Sequence, residues 1–373
     1  MLNLQERDRR YGMIREKMAA QELDAMIVIS SAQINEKGFV RYLTNYRHIL
    51  YNLVAILPRS GEARLLVPSP VQKYWAGLLS WIGRVEEQIP NLNEAIARNM
   101  RDMGLSKGRI GLINSKIMPA QTYLGLVKDF PGATVVDATS IIEEARMVKS
   151  AGEQELVRKT AALADLSFNL LADVTKPGIT EREIVGRIDN ELISGGAEDI
   201  FHLFTSKPGN LFPYAPSDRK VETGDIVILN TELSGPGGYW IQMVRTSFVG
   251  KPKPEFDGMY DTLINIASAL TKELRPGRKA SQVADWVRNQ IIGYGYEIGV
   301  NFGHCLGLDV VERPLVNVNE DTLLKPGMVI TVHPQLVSKG KEGTVWFADT
   351  YLVTEGEAEP LTKIDPLAIR VIG

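Results

Sequence analysis

A chain of 373 residues, 44% hydrophobic and 23% charged, has the length for about two domains, each able to bury its own core. Its 42 Lys and Arg against 45 Asp and Glu leave a net charge of -3 without a long single-sign run, which excludes nucleic acid and anionic membrane surfaces as main partners. The one cysteine, Cys305, excludes an intrachain disulfide and a thiolate zinc cluster, and fits a reducing cytoplasm. The opening MLNLQERDRRYG lacks the apolar core of a signal peptide, and no apolar run approaches the roughly 20 residues that span a bilayer. The expectation is a cytoplasmic protein of two domains acting on a small molecule.

Helical spacing of Tyr11, Ile14, Met18 and Leu23 predicts a helix over 4–22. Short apolar runs at 25–29, 53–57 and 63–67 predict strands, the second closed by Pro58-Arg59-Ser60-Gly61. Helices are predicted over 71–79, 92–103 and 120–129, with strands at 109–113 and 134–136. Strands and helices alternating at these lengths argue an α/β domain over residues 1–145. Residues 146–373 form the second domain. Ser150 with Glu153, and Thr180 with Glu183, read as capping boxes that open helices towards Asp173 and Ser194. Strands near 201–205 and 227–249 follow. Helices near 259–274 and 281–294 come next, then strands near 329–336 and 344–353. Helices followed by strands, twice, give an α+β domain with an internal repeat.

The stretch 227–249 carries the most chemistry. Val227, Leu229, Tyr239, Ile241, Met243 and Phe248 suit two strands, and Ser234-Gly235-Pro236-Gly237-Gly238 suits the turn between them. Asn230, Thr231, Glu232 and Gln242 sit inside these strands. A buried polar group costs a few kcal/mol unless paired, so such a cluster marks a site or a satisfied network.

The order of motifs resembles the creatinase, prolidase and methionine aminopeptidase ("pita-bread") superfamily. The matching pieces are Arg146-Met147-Val148-Lys149-Ser150, Gly224-Asp225-Ile226-Val227, Gly238-Tyr239 and Arg245-Thr246. They continue with Gly303-His304, Gly307-Leu308, Glu312 with Pro314, Leu324-Lys325-Pro326-Gly327-Met328 and Asp349-Thr350-Tyr351-Leu352-Val353. Tyr42-Leu43-Thr44 suits the creatinase and prolidase branch. The resemblance implies an α/β N-terminal domain and an α+β pita-bread domain with an internal pseudo-twofold repeat. In the typical peptidase it also implies a dinuclear metal site of two Asp, one His and two Glu, whose hard oxygen ligands suit Mn, Co, Zn or Fe. Here the first Asp position falls at Asn230 or Thr231 and the second at Gln242. His304 is kept, while the Glu positions fall at His333 and Ala348. The histidine expected within 210–216 is absent.

Neutral side chains at those positions cannot offset the charge of two divalent ions. The expectation is therefore a metal-independent, creatinase-like hydrolase without a cofactor, cleaving an amide or amidine C–N bond in a small polar metabolite. A single divalent ion on His304 and His333 with Glu232 is the alternative metal reading. His304 and His333 are expected as proton carriers, since imidazole titrates near neutrality, with Glu232 as the third catalytic residue. Asn230, Gln242, His202, Arg245, Glu312, Arg41, Tyr42 and Trp346 are expected to bind substrate. Arg245 reads more readily as a structural strand arginine than as a substrate clamp, and Glu312 equally as a surface or salt-bridged residue. Cys305 beside His304 points to the opposite strand face and is no nucleophile. In the creatinase branch the segment around Arg41 and Tyr42 reaches the partner subunit's pocket, so the resemblance implies a homodimer whose N-terminal domain completes that pocket. Three further readings stand beside the hydrolase: a lyase acting on a small zwitterion, a catalytically inactive binding protein, and an Xaa-Pro-type metallopeptidase with a degenerate mononuclear site.

Overall fold

The computed structural model describes residues 2–373. They separate into two compact units that meet in sequence at Arg146 and Met147.

The first unit comprises α1 (Leu4–Ala20), β1 (Ala25–Ser30), α2 (Gly38–Thr44), β2 (Leu53–Pro58), β3 (Arg64–Val67), α3 (Pro70–Leu79), β4 (Arg84–Glu87), α4 (Leu92–Asp102), β5 (Gly108–Ile113), α5 (Ala120–Asp129), β6 (Ala133–Asp137) and α6 (Thr139–Met147). Its six strands form one sheet in the order β4-β3-β2-β1-β5-β6. β1 and β2 are buried along their whole length, which is why both read as unbroken apolar runs. Ile27, Ile29, Val54, Ile56, Ile110 and Leu112 pack with Ile96 and Met100 of α4 to make the core. Asn3 and Asn91 cap α1 and α4 by accepting from the backbone N–H groups of Glu6 and Glu94.

The segment that contains Arg41 and Tyr42 is a helix, α2, with all seven residues buried. The Arg10 guanidinium lies 4.2 Å from the Tyr42 ring centroid, and the Tyr42 hydroxyl donates to the Ala145 carbonyl at 2.9 Å. A helix buried on every side has no polar face, so its period is invisible in the sequence.

In the second unit, α7 (Ala151–Val174) and α8 (Glu181–Ser194) begin with the reciprocal capping boxes Ser150/Glu153 and Thr180/Glu183. β7 (Asp199–Thr205), β8 (Ile226–Ser234) and β9 (Trp240–Val249) follow, then α9 (Pro254–Glu273) and α10 (Ala280–Gly293). The chain closes with β10 (Glu297–Ile298), β11 (Gly303–Cys305), β12 (Glu312–Leu315), β13 (Val329–Val332), β14 (Gln335–Val337), β15 (Thr344–Trp346), β16 (Asp349–Leu352), β17 (Glu359–Pro360) and β18 (Val371–Ile372). Three sheets result, ordered β18-β9-β8-β7, β12-β11-β13-β16-β17 and β10-β14-β15. Against the latter two, α9 and α10 bury Leu263, Leu270, Val283 and Val287 with Ile330, Leu336 and Tyr351.

Two predicted strands are broken. The stretch 329–336 divides at His333-Pro334 into β13 and β14, which belong to different sheets. Pro334 has no N–H to continue a ladder. The stretch 344–353 divides at Phe347-Ala348, where Ala348 leaves β15's partner and exchanges both backbone hydrogen bonds with Val244 of β9 at 3.0 and 3.1 Å. These breaks bring the hairpin β8–β9 against the second half of the unit.

Gly303, just before His304, has φ +149°, and a Cβ there would stand 2.1 Å from the Thr331 carbonyl oxygen. Because that neighbour is backbone, Gly303→Ala is expected to destabilise the protein by at least about 3 kcal/mol in urea unfolding. Gly12→Ala, in an exposed helical position with nothing within 4 Å, is expected to be neutral or to stabilise by up to about 1 kcal/mol.

Candidate functional site

The hairpin register pairs Glu232 with Gln242 and Asn230 with Val244. Side chains alternate across a strand, so Asn230, Glu232 and Gln242 share one face while Thr231, Met243 and Arg245 share the other. On the first face, Asn230 Nδ2 donates to Glu232 Oε1 at 2.8 Å. Gln242 Nε2 lies 3.2 Å from the same oxygen and 3.3 Å from Asn230 Oδ1. No cation is among these partners. Burial therefore pushes the Glu232 carboxyl up to about 7, against the lowering effect of the Asn230 hydrogen bond. Gln242 Oε1 is buried without a partner, an acceptor left open.

His304 lies on β11 opposite Thr331 of β13. Its Nδ1 is 3.0 Å from the Cys305 carbonyl oxygen, so Nδ1 carries the proton and Nε2 keeps its lone pair. His333 occupies the break between β13 and β14; its ring centroid is 5.7 Å from that of His304 and 6.2 Å from that of Trp346. Trp346 Nε1 also donates to the His333 carbonyl at 3.3 Å. Burial lowers the His304 pKa to about 4 and the His333 pKa to about 3, the second helped by its neighbour His304. Both rings are neutral at pH 7. His333 Nδ1 and Thr331 Oγ1 are buried without a hydrogen-bond partner.

Several expected site residues are engaged elsewhere. Arg245, on the opposite face from Gln242, lies 3.0 Å from Asp349 and donates to the Val244 and Ala348 carbonyls at 3.0 and 2.6 Å. Its guanidinium also lies 4.2 Å from the Phe347 ring centroid. His202 pairs with Thr231 across β7–β8, and its two ring nitrogens meet Asp189 at 2.9 Å and Thr231 at 3.1 Å. Glu312 takes Lys149 Nζ at 3.0 Å and the Leu308 amide at 2.8 Å. A Cβ at Gly307 would meet the Glu312 carboxyl at 2.3 Å, so this carboxylate anchors the turn before β12. Arg41 and Tyr42 are buried in the first unit. That burial corrects the expectation of a segment reaching outwards: the Tyr42 ring and hydroxyl already have Arg10 and Ala145 as neighbours. The Cys305 thiol is pushed up to about 12 by burial and stays protonated.

Sequence reasoning missed the residues that lock the hairpin in place. Thr350 Oγ1 lies 3.1 Å from the Gln242 amide nitrogen and 2.8 Å from its carbonyl oxygen. Thr246 Oγ1 makes the equivalent pair with the backbone of Trp346 at 2.8 and 2.9 Å. A buried Thr in each of β9 and β16 was the available signal, but their partners lie about 100 residues away.

The donor set does not fit a pair of divalent ions. Among the described residues, no three His, Cys, Asp or Glu side chains converge as a metal would require. Of the positions considered for ligands, 348 offers an alanine, and the amides of Asn230 and Gln242 are directed at Glu232.

A model of metallopeptidase family M24 matches residues 155–355, and a model of the creatinase/prolidase N-terminal domain matches residues 10–148. An Xaa-Pro dipeptidase of Pyrococcus furiosus is 29% identical over 231 residues, 60% of this chain and 66% of that protein. An uncharacterized peptidase of Staphylococcus saprophyticus is 28% identical over 357 residues, 94% of this chain and 97% of that protein. The solved prolidase of Pyrococcus horikoshii superposes with a TM-score of 0.84 at 24% identity, covering 96% of this chain and 99% of the other. These likenesses bear out the two-domain creatinase and pita-bread fold. They overturn the expected metal-independent amide or amidine hydrolase of a small polar metabolite, because the similar proteins include Xaa-Pro dipeptidases and the matching family is one of metallopeptidases. The expected absence of any cofactor is overturned on the same ground, since the family implies metal. The expectation failed because it read a few substituted positions as a change of reaction, whereas the family match extends over residues 155–355.

A carboxyl held at about 7 against an ordinary 4.5 favours the folded state while it is protonated. That contribution is complete below pH 4.5 and is lost as pH rises through about 7. The isosteric Glu232→Gln removes the penalty. Its stability relative to wild type is expected to increase by up to about 3 kcal/mol between pH 4.5 and 7.5 and to level off above, read by urea unfolding at each pH.

Proposed function

The chain belongs to metallopeptidase family M24, and on that premise we propose that it acts on short peptides of the Xaa-Pro type, cleaving the amide bond that precedes proline. The observation that carries the reading is Glu232, a buried carboxyl poised at about 7 in a cradle of two amides. Such a group exists in both protonation states at neutral pH, as a proton carrier must. In this reading Glu232 takes a proton from the attacking water and returns it to the leaving proline nitrogen. The open Gln242 oxygen accepts from a substrate N–H, and the Nε2 lone pair of His304 accepts a second hydrogen bond. The His333 ring stands beside His304, and the Trp346 ring packs against His333 and helps to keep water out. The same reading takes the working form to be a homodimer in the cytoplasm, in keeping with a single, fully buried cysteine.

A second reading, recognition of such peptides without turnover, is favoured by the donor set, which lacks the convergent carboxylates of a metallopeptidase centre. Both are tested by incubating the full chain with Leu-Pro, Ala-Pro and Leu-Ala, with and without Mn²⁺, Co²⁺ or Zn²⁺. Free proline and, separately, heat of binding are measured. Release of proline that drops by about 100-fold or more in Glu232→Gln supports the first reading. Binding without release in every arm supports the second. Neither binding nor release overturns both.

A further inference from the structure

A cavity of 410 Å³ opens in the first unit where the parallel strands β5 and β6 end and α5 begins. The pairing of these strands sets Leu112 opposite Asp137. Side chains alternate along a strand, so Leu112, Val135 and Asp137 share one face. Leu126 of α5 joins Leu112 in the core on that face, and Val135 packs against the same cluster. Beyond them the cavity remains, between the strand ends and the first turn of α5, where Ala120 and Tyr123 line it. A crevice outside the carboxyl ends of parallel strands is where α/β sheets hold ligands. Its volume falls within the roughly 300–1,000 Å³ of small-molecule sites.

The lining is apolar apart from Ser115 and one charged residue, Asp137. The inward row of β6 runs Ala133, Val135, Asp137. At its third member the alternation calls for another apolar side chain, and a carboxylate stands there instead. Such a break in an otherwise consistent pattern marks a functional position. Two hydroxyls orient the group: Ser115 Oγ and Thr139 Oγ1 donate to its Oδ1 at 2.9 and 2.7 Å. Both act on the same oxygen, which leaves Oδ2 for a ligand. Tyr123, 44% exposed, stands at the mouth, and its ring face attracts a cation in addition to the carboxylate. Met118 on the wall is flexible enough to shape itself to an irregular apolar body. We propose that this cavity binds a small organic ammonium ion, a primary amine carried on an aromatic or branched apolar body. The ammonium pairs with Asp137, and the body fills the space between Leu112, Val135 and Met118. The carboxylate repels an anion, and a neutral molecule of the same shape leaves the charge without a partner. The site lies wholly within the first unit and is independent of the peptide chemistry of the second.

The test is titration calorimetry of the full chain with three probes of similar shape: 2-phenylethylamine, 2-phenylethanol and phenylacetate. Wild type is expected to bind the amine saturably with a Kd of about 1 mM or tighter. The alcohol and the acid are expected to bind at least tenfold more weakly. Asp137→Asn, which keeps the shape and removes the charge, is expected to weaken the amine at least tenfold. Ala120→Trp fills the cavity from an exposed helix position and is expected to abolish binding with unchanged circular dichroism. Should Asp137→Asn fail to fold, Ala120→Trp decides. No saturable heat with the amine overturns the site, as does phenylacetate binding equally well. Amine binding that survives both variants and is lost in Glu232→Gln places the amine in the second unit and overturns it too. Both first-unit variants are expected to leave proline release and peptide binding unchanged, so failure of the peptide reading is scored separately.

Discussion

A buried ion pair fastens the hairpin of the second unit to its neighbouring sheet. Arg245 is 1% exposed and Asp349 6%, and their charged atoms stand 3.0 Å apart. Arg245 belongs to the hairpin strand β9 and Asp349 begins β16, so the pair fastens one sheet to the next. Removing one partner from such a pair leaves an uncompensated charge and costs about 3–5 kcal/mol. The charges do not stand alone. Arg245 also donates to two carbonyls and lies over Phe347, while Asp349 accepts from the Thr362 hydroxyl and the Thr350 amide. The two threonines that grip Gln242 and Trp346 extend the same seam in both directions. Fixing β9 along 346–350 sets where the hairpin carboxyl lies relative to the strands that carry the histidine pair.

This arrangement sorts charge by strand face. The full guanidinium and carboxylate charges occupy the side of β9 that also packs on Phe168. The other side holds only amides around Glu232. An ionised carboxyl beside amides loses its water and gains no cation, so burial decides its titration. His304 and His333 follow the same rule with opposite sign, since burial penalises the protonated imidazole. The open acceptor at Gln242 Oε1 belongs to this side. Buried groups without partners in an otherwise well-paired core mark where a ligand's hydrogen bonds are wanted.

Much of the fold was legible because local signals and burial agree. The capping boxes at Ser150 and Thr180 opened their helices as read, and the Gly-rich turn gave the hairpin. What escaped required register or long-range pairing. Gln242 and Arg245 are three residues apart and so face opposite sides, yet their destination depends on the seam with 346–350. His202 was grouped with the site because it sits on the neighbouring strand, and only the pairing of His202 with Thr231 shows that it faces away. Helix α2 was invisible for want of a polar face. Within the site, Asn230, Glu232 and Gln242 could be picked out as polar residues in core strands. The reaction could not, because the same residue types serve a site with altered chemistry and one that keeps its family's substrates.

The three titrating groups of the site constrain how it behaves with pH. The neutral histidines contribute stability that is present above pH 6.5 and is lost as pH falls through about 4 and about 3. Glu232 contributes stability that is complete below pH 4.5 and is lost as pH rises through about 7. Between about 4 and about 7, therefore, all three are uncharged in the folded protein. Above about 7 the site gains a single negative charge, on Glu232. Any pH dependence of ligand binding near neutrality that arises among these groups must then follow one proton, and that proton resides on the hairpin carboxyl rather than on either imidazole. The physical cause is the same burial that the Arg245–Asp349 seam enforces. A seam loosened enough to admit water would let the carboxyl ionise at a lower pH and the imidazoles protonate at a higher pH, returning each towards its ordinary value.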